Sequence, residues 1–205
     1  MSNFIDQDQV RVAACAAAGL MCGVLLANSL SVLDALAGRT VYSVAICALM
    51  VAAGLALGLL LAAAVWRRRQ AAGAALGVLF VFMGLVAVVQ QCLSVGVAEG
   101  WHRILGDLSR TFPQYLASLA KTAALFCLPH AVLAGATILA ALPEPVKRNS
   151  GARGQGLTLV LLLGFVPAVF GYGLAFKFLV PAVGAEGVLR LAVWWFGILA
   201  VLAVG

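Results

Sequence analysis

The chain has 205 residues, of which 64% are hydrophobic and 10% charged, with 13 basic and 7 acidic residues and a net charge of +6. A soluble domain is about half apolar and about a quarter charged, so this composition excludes an ordinary soluble protein, a disordered chain and a nucleic-acid-binding domain. The basic residues are scattered between long apolar runs, as membrane-flanking charge is, and the expected medium is the lipid bilayer.

A spanning helix needs about 20 apolar residues, so the length allows about six spans and no folded soluble domain. The first span is expected over residues 12–33. Asp34, Gly38 and Arg39 connect it to the second, 41–66, which ends at Arg67, Arg68 and Arg69. The third covers 71–95. In the longer connection that follows, Trp101, Ile104, Leu105, Leu108 and Phe112 recur at helical spacing opposite His102, Arg103, Asp107 and Arg110. That pattern predicts a short amphipathic helix in the interface, either a tether or a docking surface for a partner. The fourth span covers 114–142 and stops at Pro143-Glu144-Pro145. A basic, Gly-rich loop takes 146–154, the fifth span 156–180, a connection 181–187 and the sixth span 188–205. Lipid leaves an open chain no way but helix to satisfy its backbone. The expected fold is an all-α integral membrane bundle forming a single transmembrane domain over 1–205.

Val12-Ala13-Ala14-Cys15 looks like a lipoprotein cleavage box, but the polar, acidic residues before it lack a signal peptide's basic start and apolar stretch. The first run is therefore read as a retained spanning helix. With the N-terminus inside, Arg11, Arg67, Arg68, Arg69, Lys147, Arg148 and Arg153 face inward. Arg39, Arg103, Arg110, Lys177 and Arg190 face outward. The inner charges cluster tightly at span ends, which sets orientation. This predicts an inner-membrane protein with both termini cytoplasmic.

Three spans carry a GxxxG: Gly19 to Gly23, Gly54 to Gly58, and Gly73 to Gly77. Small residues at this spacing let helix backbones approach closely, inside one bundle or against a separate subunit. Ionisable groups at membrane depth are costly and are candidate functional groups. His130 is the best placed, mid-span and directly after Pro129, which frees a backbone carbonyl one turn earlier. A neutral buried histidine and a proton- or substrate-binding residue both fit. Haem ligation lacks an axial partner, because the other histidine, His102, falls outside the bilayer. Lys121 lies nine positions from His130, on nearly the opposite helix face, and can snorkel outward. Lys177, Glu186 and Arg190 read as an interfacial ion-pair set, and Asn28, Gln90 and Gln91 as groups bonding across helices. Gly164, Pro167, Gly171 and Gly173 weaken the fifth span and allow a kink, as in interrupted transporter helices. Cys15, Cys22, Cys47, Cys92 and Cys127 show no metal-binding spacing and read as inert thiols.

No enzyme signature, paired intramembrane carboxylate or cofactor motif is present, and the chain is read as a non-enzyme without a cofactor. Gly38-Arg39-Thr40-Val41-Tyr42 leads to Gly54-Leu55-Ala56-Leu57-Gly58 and then Arg67-Arg68-Arg69, and Leu128-Pro129 is followed by Gly135-Ala136-Thr137. In these segments the chain resembles the membrane region of bacterial spermidine-synthase-like membrane proteins, itself similar to half of a major-facilitator transporter. The likeness implies a half-transporter bundle over nearly the whole chain. His130 stands where that pattern often has a second proline, and the soluble aminopropyltransferase domain is absent. Three functions follow as expectations. The first is a non-catalytic accessory or anchoring subunit of a larger membrane assembly, with other membrane subunits or a second copy as partner. The second is a small-solute carrier built from half-transporter bundles. The third is the membrane part of an enzyme whose soluble domain is missing.

Overall fold

The structure, a computed structural model, describes residues 7–38, 40–66, 72–106, 111–140 and 150–204. Those residues form helices α1 (Gln7–Ala37), α2 (Val41–Trp66), α3 (Ala72–Gly106), α4 (Phe112–Ala140), α5 (Ser150–Leu174), a π-helical turn (Ala175–Leu179) and α6 (Val180–Val204), with no strand among them. Five stretches are long and apolar enough to cross a membrane, the last of them 40 residues, Gly164–Ala203. The protein is an all-α bundle of membrane-length helices.

Local sequence sets the helix ends. Gly38 adopts a φ of 79°, its N–H bonding to the Asp34 carbonyl at 3.0 Å, which closes α1 with a left-handed glycine. Thr40 caps α2 reciprocally: the Ser43 N–H donates to Thr40 Oγ1 at 3.1 Å and the Thr40 N–H to Ser43 Oγ at 3.1 Å. At α4 the side chain of Gln114 reaches back to accept from the Thr111 N–H at 3.0 Å, the return half of a capping box.

The last stretch folds back on itself. Gly184 has φ 71° and ψ 171°, a break inside α6 that only glycine adopts easily. Gly164 packs against Gly19, while Trp195 Nε1 donates to the Ala17 carbonyl at 3.1 Å. Two residues 31 positions apart thus meet neighbouring points of α1, which a straight helix of about 1.5 Å per residue could not do. The Gly184 break divides the stretch into two arms of roughly 30 Å, each long enough for one pass. α1 lies between them.

Three intimate pairs build the bundle: α1 with α5, α2 with α4, and α3 with α6. A Cβ on Gly19 would strike the Gly164 carbonyl, one on Gly23 the Ala168 carbonyl, and one on Gly171 the Leu20 carbonyl. On α2, a Cβ at Gly54 would lie 2.6 Å from Ala131 Cβ, and one at Gly58 would strike the Val132 carbonyl; one at Gly135 of α4 would strike that of Leu55. The two pairs repeat one scheme. Ala131 and Gly135 lie 112 residues beyond Gly19 and Gly23, and Gly164 and Ala168 lie 110 beyond Gly54 and Gly58. The halves α1–α3 and α4–α6 therefore interlock, the first helix of each packing on the second helix of the other. Phe80 stacks on Phe196 where α3 meets α6, with ring centroids 6.5 Å apart.

The connection after the third span differs from the sequence expectation. Residues 101–106 continue α3 and form no separate interfacial helix; 107–110 lie outside the described residues. Trp101 explains this. Its indole is buried, with Nε1 donating to Thr122 Oγ1 at 2.9 Å and the ring edge-on to Tyr115 at 5.8 Å. A satisfied tryptophan packs into the bundle, so α3 keeps winding. The fifth helix starts at Ser150, inside the expected basic loop, whose residues 146–149 lie outside the described residues.

Candidate functional site

Pro129 creates the polar centre. Without an N–H it cannot bond the carbonyl of Leu125, and that carbonyl must find a donor elsewhere. Gln90 of α3 supplies it: its Nε2 donates to Leu125 O at 2.9 Å and lies 3.1 Å from Phe126 O. Ser29 of α1 donates to Leu25 O at 2.8 Å and lies 3.3 Å from Phe126 O. Gln90 and Ser29 are both buried. Three helices thus converge on one weakened turn of α4.

His130 completes the cluster. Its Nδ1 lies 3.3 Å from Gln90 Nε2. The two carbonyls fix the Gln90 amide with its nitrogen toward α4, and that nitrogen carries only hydrogens. Nδ1 faces that nitrogen, and which of the two donates follows the ring tautomer. Nε2 has no hydrogen-bond partner, and the residue is 5% exposed. The imidazole is buried between α3 and α4 at the edge of the cavity.

Beside this cluster lies a cavity of about 580 Å³, lined by α1, α2, α4 and α5 with Met83 from α3. Its walls are almost wholly apolar. Ser29, His130 and Thr137 line it, but the Thr137 hydroxyl donates to Leu133 O at 2.8 Å and Ser29 is bonded as above. Cys47 and Cys127 form part of the wall, with sulfurs 3.8 Å apart. Among the described residues, no group of three or more metal-ligating side chains exists.

The other sequence candidates fall elsewhere. Lys121 is exposed, on a different face from buried His130, and the two share no site. Gly19, Gly23, Gly54 and Gly58 form the helix contacts described above, and Gly19 and Gly23 also line the cavity. Gly77 is buried in α3, and the surroundings of Gly73 lie outside the described residues. Arg190 pairs with Glu186 at 3.7 Å, both exposed, while Lys177 sits over the Phe178 ring at 5.4 Å. Gly164 and Gly171 of the fifth helix serve close packing on α1, and the irregular backbone comes after them, in the π turn and at Gly184.

Sequence reasoning missed the Cys47–Cys127 contact and the cavity. Both depend on which helices are neighbours, and spacing within one helix carries no such signal. The convergence on Pro129 did have a signal: a proline mid-span beside a histidine, with glutamine and serine in other spans. No protein-family model, curated protein or solved structure matches the chain.

Proposed function

We propose that the chain is a small-solute carrier built on a half-transporter bundle, with the central cavity as its solute site. The cavity carries this reading. Its volume lies in the range of about 300–1,000 Å³ typical of small-molecule sites, and an anchoring or accessory subunit has no need of one. Two features support movement around it. α4 is weakened at Pro129 and the fifth helix runs through a π turn to the Gly184 break, and interrupted helices beside a central site are a transporter device. The interlocked halves support it too. His130 in the cavity wall and Gln90 behind it act as a fixed brace, and the chain performs no covalent chemistry. The proposed setting is the inner membrane with both termini cytoplasmic.

Purification of the full chain in mild detergent, followed by mass measurement of the intact particle, tests this. A carrier purifies without other subunits, alone or paired with itself. Stoichiometric co-purification with a different membrane subunit would return the accessory reading to first place. His130→Gln separates the cases further. A sealed brace loses stability on substitution and keeps solute uptake in reconstituted vesicles.

A further inference from the structure

Among the described residues, α2 and α5 flank the cavity without contacting each other. Between them the cavity has a side opening. Val44, Ala48 and Ala52 on α2 and Phe165 and Val169 on α5 line it and are exposed. All five lie within the two stretches apolar enough to cross a membrane, Val41–Ala64 and Gly164–Ala203. The medium at that opening is hydrocarbon. The floor is formed by α1 and α4, where half-buried Leu26, Ala134 and Ile138 look onto the same space.

Shape and chemistry narrow the occupant. The lining extends from Ala18 to Leu30 on α1 and from Phe126 to Ile138 on α4, about 18 Å along the helix axis. Half of the hydrocarbon core is about 15 Å thick. The cavity is therefore long and as deep as one leaflet. A polar solute would meet few free partners. The Ser29 and Thr137 hydroxyls already serve main-chain carbonyls, the Cys47 and Cys127 thiols face each other, and His130 Nε2 is covered, which leaves the Tyr172 hydroxyl on the α5 wall as the main polar group a solute would meet. No charged side chain is in the lining. A polar solute leaving water for such a wall loses hydrogen bonds it cannot replace, whereas a hydrocarbon chain loses none.

We infer that the cavity takes one hydrocarbon chain of a lipid, which slides in sideways between α2 and α5. The inference rests on the carrier reading and names its substrate class: a lipid or lipid-like molecule whose chain lies along α1 and α4 while its head remains at the membrane surface. The glycine contacts of α1 with α5 and α2 with α4 hold the two flanking helices on the floor, so the slot has fixed walls.

The test reconstitutes the full chain in phosphatidylglycerol–phosphatidylethanolamine vesicles. The probe is a phospholipid with a photoactivatable diazirine on its acyl chain, and cross-linked positions are mapped by mass spectrometry. Leu26 and Ile138 on the floor are expected to label as strongly as lipid-facing Trp194. Ala52→Phe, which narrows the slot from α2, lowers floor labelling several-fold and leaves Trp194 labelling unchanged. Val169→Trp does the same from α5, so the result does not depend on one variant folding well. A charged, water-soluble thiol reagent that modifies Cys22 or Cys47 in the absence of floor photolabelling would overturn the lipid assignment and keep the carrier. A floor reached by neither probe, or Ala52→Cys cross-linking to its copy in a second chain, would overturn the lipid assignment, the cross-link because the slot is then an interface between copies.

Discussion

At the scale of single residues, Pro129 dictates its own surroundings. A proline inside a spanning helix withdraws one N–H and leaves the Leu125 carbonyl exposed to hydrocarbon, where no water can serve it. Gln90 exists at that point to donate to it, at 2.9 Å. Gln90→Leu is expected to cost about 1–3 kcal/mol, the penalty of an unsatisfied buried acceptor, toward the low end because membrane reference states find partners too. Pro129→Ala restores the helix N–H that Leu125 lacks. The double variant Gln90→Leu, Pro129→Ala should therefore be less destabilised than Gln90→Leu alone, as read from thermal unfolding in detergent. Simple additivity of the two single effects would show that Gln90 serves some other group. His130 gains its position from the same event, since Gln90, once drawn to the carbonyls, also faces Nδ1. The histidine is thus part of the structural repair around a proline, and its mid-membrane location by itself says little about proton transfer.

At the scale of helices, close backbone approach without side chains between explains the pairing. In lipid there is no hydrophobic drive between helices, and association relies on packing at small residues. The GxxxG pairs of α1 and α2 meet small residues on α5 and α4, so both are used within the chain and are not left for a second subunit. Gly58→Leu places its Cβ into the Val132 carbonyl and must push α2 off α4. The expected loss is about 1–3 kcal/mol from overpacking. An unchanged melting temperature for Gly54→Leu and Gly58→Leu together would mean that this face meets lipid. The helices themselves were legible in the sequence, since apolar length and the Gly38, Thr40 and Gln114 signals act locally. The end of α3 was not. Trp101 to Phe112 has a true amphipathic period, but the burial of Trp101 depends on Thr122, which only the folded α4 brings near. The cavity was illegible for the same reason, being the space between helices far apart in the chain, from Ala18 on α1 to Tyr172 on α5.

At the scale of the whole molecule, the direction of the helices bears on how the chain sits in a membrane. Gly54 meets Leu128 and Ala131, and Gly58 meets Val132 and Ala136, so the contact advances along α2 and α4 together and the two run the same way. Their C-terminal ends therefore lie at one end of the bundle. Arg67, Arg68 and Arg69 follow α2, and Lys147, Arg148 and Arg153 follow α4. Six of the 13 basic residues thus follow these two helices in the sequence, and clustered basic residues near span ends are expected to stay in the cytoplasm. The interlocked halves agree, because three passes per half put the second half in the opposite orientation to the first. The test is a cysteine at Ser150 or at Ser109, each in a chain whose five native cysteines are replaced. In intact cells the Ser109→Cys chain is expected to react with a membrane-impermeant thiol reagent, and the Ser150→Cys chain only after the membrane is permeabilised. The reverse pattern would invert the molecule in the membrane while leaving its helix pairing intact. Equal labelling of both positions in intact cells would mean that α4, which lies between them in the chain, does not cross the membrane.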